Sequence, residues 1–204
     1  MKKLFLVKPD LFLPNEITIV GSSKILLKKM NGNLIDSSNF VARFNFAKIE
    51  GFQKYTGSII SLMIINNHNY KSMLNNEIQS NKFTKYLIIS PYFEKEKKIK
   101  KNYFFFEKKS SQFFLALSFL NSFGIFIQLI KILRKKSFSV GFCFILMCIK
   151  SKIKIKIFGF DLNENMRQRE HYYQKRGIGN RHDLEIEHVI LKKLKEKNEF
   201  IDFH

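Results

Sequence analysis

Short apolar runs closed by glycine, proline or polar residues recur along the chain and alternate with stretches of helical spacing. EITIVG (16–21) reads as a buried strand that stops on Gly21, and SSKILLKKM after it as a helix with Ile25, Leu26 and Met30 apolar. NFVARFNF (39–46) has strand character. SIISLMIINN (58–67) is a continuous apolar run between polar residues, the pattern of a central parallel strand. NYKSMLNNEIQ (69–79) suits a helix, KYLIISP (85–91) a strand closed by Pro91, and EKEKKIKKN (94–102) a solvated loop. A helical region covers 111–135, and FSVGFCFILMCIKS (138–151) is apolar on nearly every face, as a core helix is. KIKIKIFGFD (152–161) alternates strictly before turning apolar and ends on a glycine and an acid. A last helix starts near Asp183. Its first turns carry Asp183, Glu185 and Glu187 and its end Lys192, Lys193, Lys195 and Lys197, which matches the helix dipole.

Strands that alternate with helices, without internal repeats, predict one α/β domain over residues 1–204, a sandwich around a mainly parallel sheet. Ligands of such sheets sit at the carboxyl ends of the strands. Those ends are Gly21-Ser22-Ser23, Arg43-Phe44-Asn45, Asn66-Asn67-His68 and Gly159-Phe160-Asp161, all small or polar enough to line a site.

Composition narrows the partner. Hydrophobic residues make up 45 %, which argues for a packed core, and the formal charge is +19. Lys, Ile, Asn and Phe dominate in the manner of drift toward AT-rich codons, so part of that charge is background. The remainder favours an anionic partner: nucleotide phosphate, acidic glycan or a membrane surface. A basic nucleic-acid-binding module is the alternative class, but it needs its cations gathered on one face among aromatics, and here the lysines spread along the chain. Cys143 and Cys148 form no disulfide or zinc pattern, which points to a reducing compartment. The opening MKKLFLVKPDLFLPNE lacks the features of a signal peptide. FFLALSFLNSFGIFIQLIKIL (113–133) is nearly long enough to span a bilayer, yet it contains Asn121, Gly124 and Gln128 and reads as a buried or membrane-surface helical pair.

The candidate chemistry lies in two places. Gly21-Ser22-Ser23 follows a strand and precedes a helix, where backbone N–H groups can hold a phosphate; a purely structural turn fits equally well. No GxGxxG, GxxxxGK[ST] or DxD occurs, so a dinucleotide fingerprint, a P-loop and a carboxylate-bound metal–nucleotide site are all disfavoured. Three of the five histidines fall within EHYYQKRGIGNRHDLEIEH (170–188). A metal site is disfavoured by spacing, because His182 and Glu187 would stand about 140° apart around a helix and no HExxH occurs. Acid–base work on a hydroxyl and a departing phosphate suits histidine, as does a solvated polar loop.

VGSSKILLKKMNGNLIDSSNFVARFNFAKIEGFQKYTGS (20–58) resembles the large sialylmotif of the eukaryotic-type sialyltransferases, glycosyltransferase family 29. The shared frame is Gly21-Ser22-Ser23, Ile35-Asp36-Ser37, Arg43-Phe44-Asn45, Glu50-Gly51-Phe52 and Gly57-Ser58. FSVGFCFILMCIKSKIKIKIFGFD (138–161) is similar to the small motif, His171-Tyr172-Tyr173 to the third, and His182 with Glu187 five residues on to the very small motif. The four stand in the family's order between residues 20 and 187.

The resemblance implies a single-domain, Rossmann-like α/β/α fold and a metal-independent, inverting transfer of sialic acid from CMP-sialic acid to a glycan hydroxyl, with no cofactor. It implies that His182 is the general base on the acceptor and that His171 faces the CMP phosphate and helps it leave. Donor contacts would come from Gly21, Ser22, Ser23, Asn45, Ser139, Val140, Gly141 and Tyr172, with Glu187 supporting the fold. The chain departs from the family in places. Ser22 stands where Asn is commoner, 138–141 lacks the usual Pro and Thr, and Ile17 and Lys152 occupy the positions of a bridging cysteine pair. With no membrane anchor or stem preceding the motifs, the expectation is a cytoplasmic microbial or viral enzyme, peripheral at most on a membrane, acting on a surface glycan or lipooligosaccharide. Transfer of another CMP-sugar such as Kdo, or a non-catalytic relative, are the alternatives.

Overall fold

The computed structural model describes residues 13–74, 85–90, 103–107, 138–161, 171–173, 184–197 and 201–204. In chain order the elements are β1 (Glu16–Val20), a 3₁₀ helix (Lys24–Lys28), α1 (Gly32–Asp36), β2 (Val41–Phe44), α2 (Gln53–Thr56), β3 (Leu62–Asn66) and α3 (Asn67–Leu74). These are followed by β4 (Lys85–Ser90), β5 (Tyr103–Glu107), α4 (Val140–Lys150), β6 (Lys154–Phe158), α5 (Leu184–Lys197) and β7 (Ile201–Phe203). The seven strands form one sheet in the order β5-β4-β3-β2-β1-β6-β7, and every neighbouring pair is parallel. The α/β reading therefore stands.

The strands are continuous apolar runs because both faces of the sheet are covered. On one face α4 and α5 lay Phe142, Phe144, Ile145, Ile190 and Leu194 against Ile17, Ile19, Ile64 and Ile157. On the other, α3 packs Tyr70 and Met73 on Met63, Ile65 and Ile88, while Leu26, Ile35 and Tyr172 cover Val20, Val41 and Phe158. The layers are α/β/α. In β6 the Lys–Ile alternation marks the start of the strand, where Lys154 is exposed and Lys156 reaches Glu16 at 2.7 Å.

Differences from the sequence reading are local. The expected helix over SSKILLKKM is a five-residue 3₁₀ turn that buries Leu26 and leaves Met30 74 % exposed. Its apolar spacing is too short to bury a second helical turn. Residues 75–79, the loop 94–102, the helical region 111–135 with its 113–133 stretch, and His182 lie outside the described residues. Tyr103–Glu107, the start of the Phe-rich region, is the edge strand β5. Both cysteines are buried thiols, and among the described residues no helix is long and apolar enough to cross a membrane.

Candidate active site

The chain runs outward from β1 in two directions, through β2–β5 on one side and β6–β7 on the other, so the order reverses between β1 and β6. Crevices at such reversal points are where open α/β sheets bind ligands. The register sets Val20 opposite Phe158 and Arg43, so the turns after β1, β2 and β6 open at one level.

Gly21 is dictated by packing. A Cβ there would strike the Gly159 carbonyl oxygen and stand 2.8 Å from the Phe160 ring. Gly159 itself has φ +72, which glycine adopts without strain. The turn differs from a phosphate cradle in one respect. The Gly21 N–H donates to Phe158 O at 2.8 Å and the Ser23 N–H to Gly159 O at 3.1 Å, so of the three only the Ser22 N–H has no partner among the described residues. Ser23 caps the 3₁₀ turn, its hydroxyl accepting from the Ile25 N–H at 3.3 Å.

Onto this turn folds a segment about 150 residues downstream. Ser23 and His171 form an isolated antiparallel bridge, and the Tyr172 N–H donates to Ser22 O at 3.0 Å. The Ser22 hydroxyl lies 2.6 Å from His171 Nδ1. The Tyr173 ring stacks on the imidazole, with centroids 5.3 Å apart and planes 7° from parallel. Burial lowers the pKa of His171, so the ring is neutral near pH 7. With Nδ1 held by Ser22, Nε2 is the ring nitrogen without a partner among the described residues.

Tyr172 faces the other way. Its ring is buried 5.0 Å from that of Phe52, its hydroxyl donates to the Lys48 carbonyl, and burial pushes its pKa up to about 12. Its side chain anchors the segment, with the hydroxyl engaged by the Lys48 carbonyl. Asn45 keeps a group free. Its Oδ1 accepts from the Asn66 N–H at 3.1 Å and from Asn69 Nδ2 at 3.0 Å, which turns the amide nitrogen outward with no partner among the described residues. Asn45 sits at φ 50, a conformation asparagine tolerates better than most residues. Its clamp, Asn66 and Asn69, shows in the sequence only as an Asn-rich strand end.

The α4 end is built differently. Ser139 is the N-cap, its hydroxyl accepting from the Phe142 N–H at 3.2 Å and donating to Glu187 at 2.6 Å. Its own N–H donates to the other Glu187 oxygen at 2.5 Å. Val140 is buried, and a Cβ at Gly141 would press within 3.0 Å of the Phe160 ring. Phe160, which the motif reading left without a role, lies between Gly21 and Gly141 and meets Phe44 edge-on at 6.0 Å. The side chains of Ser139 and Val140 are thus occupied inside the protein, and only backbone at this helix start remains to meet a ligand. Arg43, one of the strand-end residues, is buried away from the opening. Among the described residues no three His, Cys, Asp or Glu side chains gather as metal ligands would.

Solved structures share this architecture. The chain is similar to a mammalian sialyltransferase crystallised in complex with Gal-beta-1-3GalNAc-ortho-nitrophenol, with a TM-score of 0.67 and 16 % identity over 98 % of this chain and 72 % of that one. A second mammalian sialyltransferase structure gives 0.65 and 17 % over 93 % and 68 %. No curated protein matches the chain in sequence. The sequence model of glycosyltransferase family 29 (sialyltransferase) matches residues 15–199, which takes in β1 and its turn, the His171 segment and α5. The chain belongs to that family and is a sialyltransferase-type glycosyltransferase.

Proposed function

We propose that this enzyme transfers sialic acid, or a related nonulosonic acid, from its CMP-activated form to a glycan hydroxyl, with inversion and without a metal ion. Family membership supports the CMP-sialic acid donor and the glycan acceptor. His182 takes the proton of the acceptor hydroxyl as that oxygen attacks the anomeric carbon, and the bond to the CMP phosphate breaks with its electron pair leaving on the phosphate. A neutral His171 meets that phosphate through Nε2–H, a hydrogen bond aimed at developing charge. The Asn45 amide and the Ser22 N–H complete the donor contacts, with the backbone N–H groups of Val140 and Gly141 at the helix start, while Gly21 and Ser23 shape the turn. Tyr172 acts by holding His171 in place.

The observation that carries this reading is the 2.6 Å contact between Ser22 and His171 at the strand reversal. It sets one histidine nitrogen and leaves the other open beside two adjacent strand ends. The net charge of +19 supports anionic substrates and a peripheral contact with a membrane on the cytoplasmic side, where a lipooligosaccharide or another surface glycan is the acceptor.

The deciding experiment is a binding and hydrolysis screen of the purified protein against CMP-sialic acid, CMP-Kdo and other nucleotide sugars. Selective turnover of CMP-sialic acid is expected; preference for CMP-Kdo would replace the donor, and no binding of any CMP-sugar would end the reading. His182→Ala is expected to lower transfer about 10²–10⁴-fold while CMP binding persists, and near-normal turnover would remove His182 as the base. EDTA is expected to leave the rate unchanged; inhibition reversed by Mg²⁺ or Mn²⁺ would overturn the metal-free mechanism.

A further inference from the structure

Arg43 heads the large side chains fully buried among the described residues, with 1 % exposure. Its partners are unusual for a buried cation. Nε donates to Ile59 O at 2.8 Å and Nη2 to Thr56 O at 2.7 Å, both neutral carbonyls, while Tyr172 and then Asp36 act on it through space without a hydrogen bond. Removing a guanidinium from water costs several kcal/mol, and apolar residues of similar size replace buried ions without loss of stability. Core packing alone therefore gives no reason for an arginine in the middle of VARF.

The segment it grips supplies one. The single hydroxyl hydrogen of Thr56 is within reach of both Phe52 O, 3.2 Å from Oγ1, and Gly57 O, 3.1 Å away, so the carbonyl held by Arg43 belongs to the turn that presents Phe52. Phe52 and the Lys48 carbonyl both seat Tyr172, and Thr56 also hydrogen-bonds its side chain. Tyr172 in turn is hydrogen-bonded to Ser22 O and is joined through the chain to His171. A continuous line of contacts thus runs from β2 through residues 48–59 to the imidazole.

We infer that Arg43 is a positioning residue for the transfer reaction: its fork fixes the 48–59 platform on which Tyr172 docks, and so holds His171 Nδ1 against Ser22. This rests on the role assigned to His171 above, but its geometric part can be tested without any transfer.

The test uses the whole chain with ¹⁵N-labelled histidine rings, His171 being assigned by the signals lost in His171→Ala. In the wild type its two ring nitrogens are expected to give distinct signals of one tautomer. Arg43→Met should move them toward the tautomer average and lower kcat about ten- to a hundredfold with little change in donor KM. Arg43→Lys, which keeps the charge but not the fork, should fall between. Tyr172→Phe cuts the same line at its other end, so the double variant should be no worse than the poorer single one. The inference is overturned if either arginine variant, folded by circular dichroism, keeps wild-type His171 signals and kcat, or if the Arg43 and Tyr172 effects add. Should Arg43→Met fail to fold, Arg43→Lys and Tyr172→Phe decide the matter. A wild type that transfers no sialic acid refutes the reaction, whereas unmoved ring signals in the variants refute the positioning role.

Discussion

Two bridges between distant parts of the chain meet at the carboxyl end of the sheet, and they leave different things unfinished. Ser22 and His171 stand 149 residues apart and share one side-chain to side-chain hydrogen bond, after which Nε2 of the half-buried imidazole has no partner among the described residues. Ser139 and Glu187 stand 48 apart and share two. There the hydroxyl, the N–H and both carboxylate oxygens are engaged, with Glu187 only 4 % exposed. Both pairs join a motif serine to a motif acid or base, so residue types do not separate them. What separates them is the hydrogen-bonding capacity left over. The first bridge is suited to chemistry, and the second closes a helix cap and fastens α5 to α4.

The strongest way to break this contrast is at the histidine. His171→Ala is expected to lower transfer by about 10²–10³-fold while the melting temperature changes little; a variant with normal kcat would make the open bridge as structural as the closed one. Next comes Glu187→Ala, which strands the Ser139 N–H and hydroxyl in the interior. It should reduce unfolding free energy by about 2–4 kcal/mol in denaturant titrations, with kcat per folded molecule preserved. A stable but inactive Glu187→Ala would assign chemistry to the wrong pair. Ser22→Ala tests the bond itself. The expected stability loss is about 1 kcal/mol, with a decrease of several-fold in turnover as the imidazole gains freedom. The smallest expected effect is on stability against pH. Burial lowers the folded pKa of His171, so on acidification the unfolded chain takes up the proton first. The stability it contributes is present above its ordinary value of about 6.5 and is lost as pH falls below it. Thermal melts of His171→Ala should show a flatter acid limb than the wild type.

Much of this was legible beforehand because it rests on local patterning. The buried strands EITIV, LMIIN and KYLIIS declare themselves as short apolar runs and VARF by its strand character, and a parallel sheet covered on both faces follows from them. The core helix α4 also followed from sequence, since 138–151 is apolar on nearly every face. Residues were harder to rank. Gly21 and Gly141 look like ligand-binding glycines, yet Phe160 explains both, and nothing in the sequence says that one phenyl ring fills the space between two turns. Tyr172 and Tyr173 are identical neighbours, but one is an anchor with its hydroxyl engaged and the other lies flat on the imidazole.

The sequence by itself therefore determined strands β1–β4 and β6, the order of the motifs and the family, because hydrophobic period and short-range residue spacing are properties of the chain; the short edge strands β5 and β7 came only from the sheet. The tertiary structure alone decided which polar groups are left over. Whether Ser22, Asn45, Arg43 or Ser139 can reach a ligand depends on which donors and acceptors have already been met by residues from 13 to 149 positions away. A hydrogen bond is a statement about distance in space, and only folding brings those partners together.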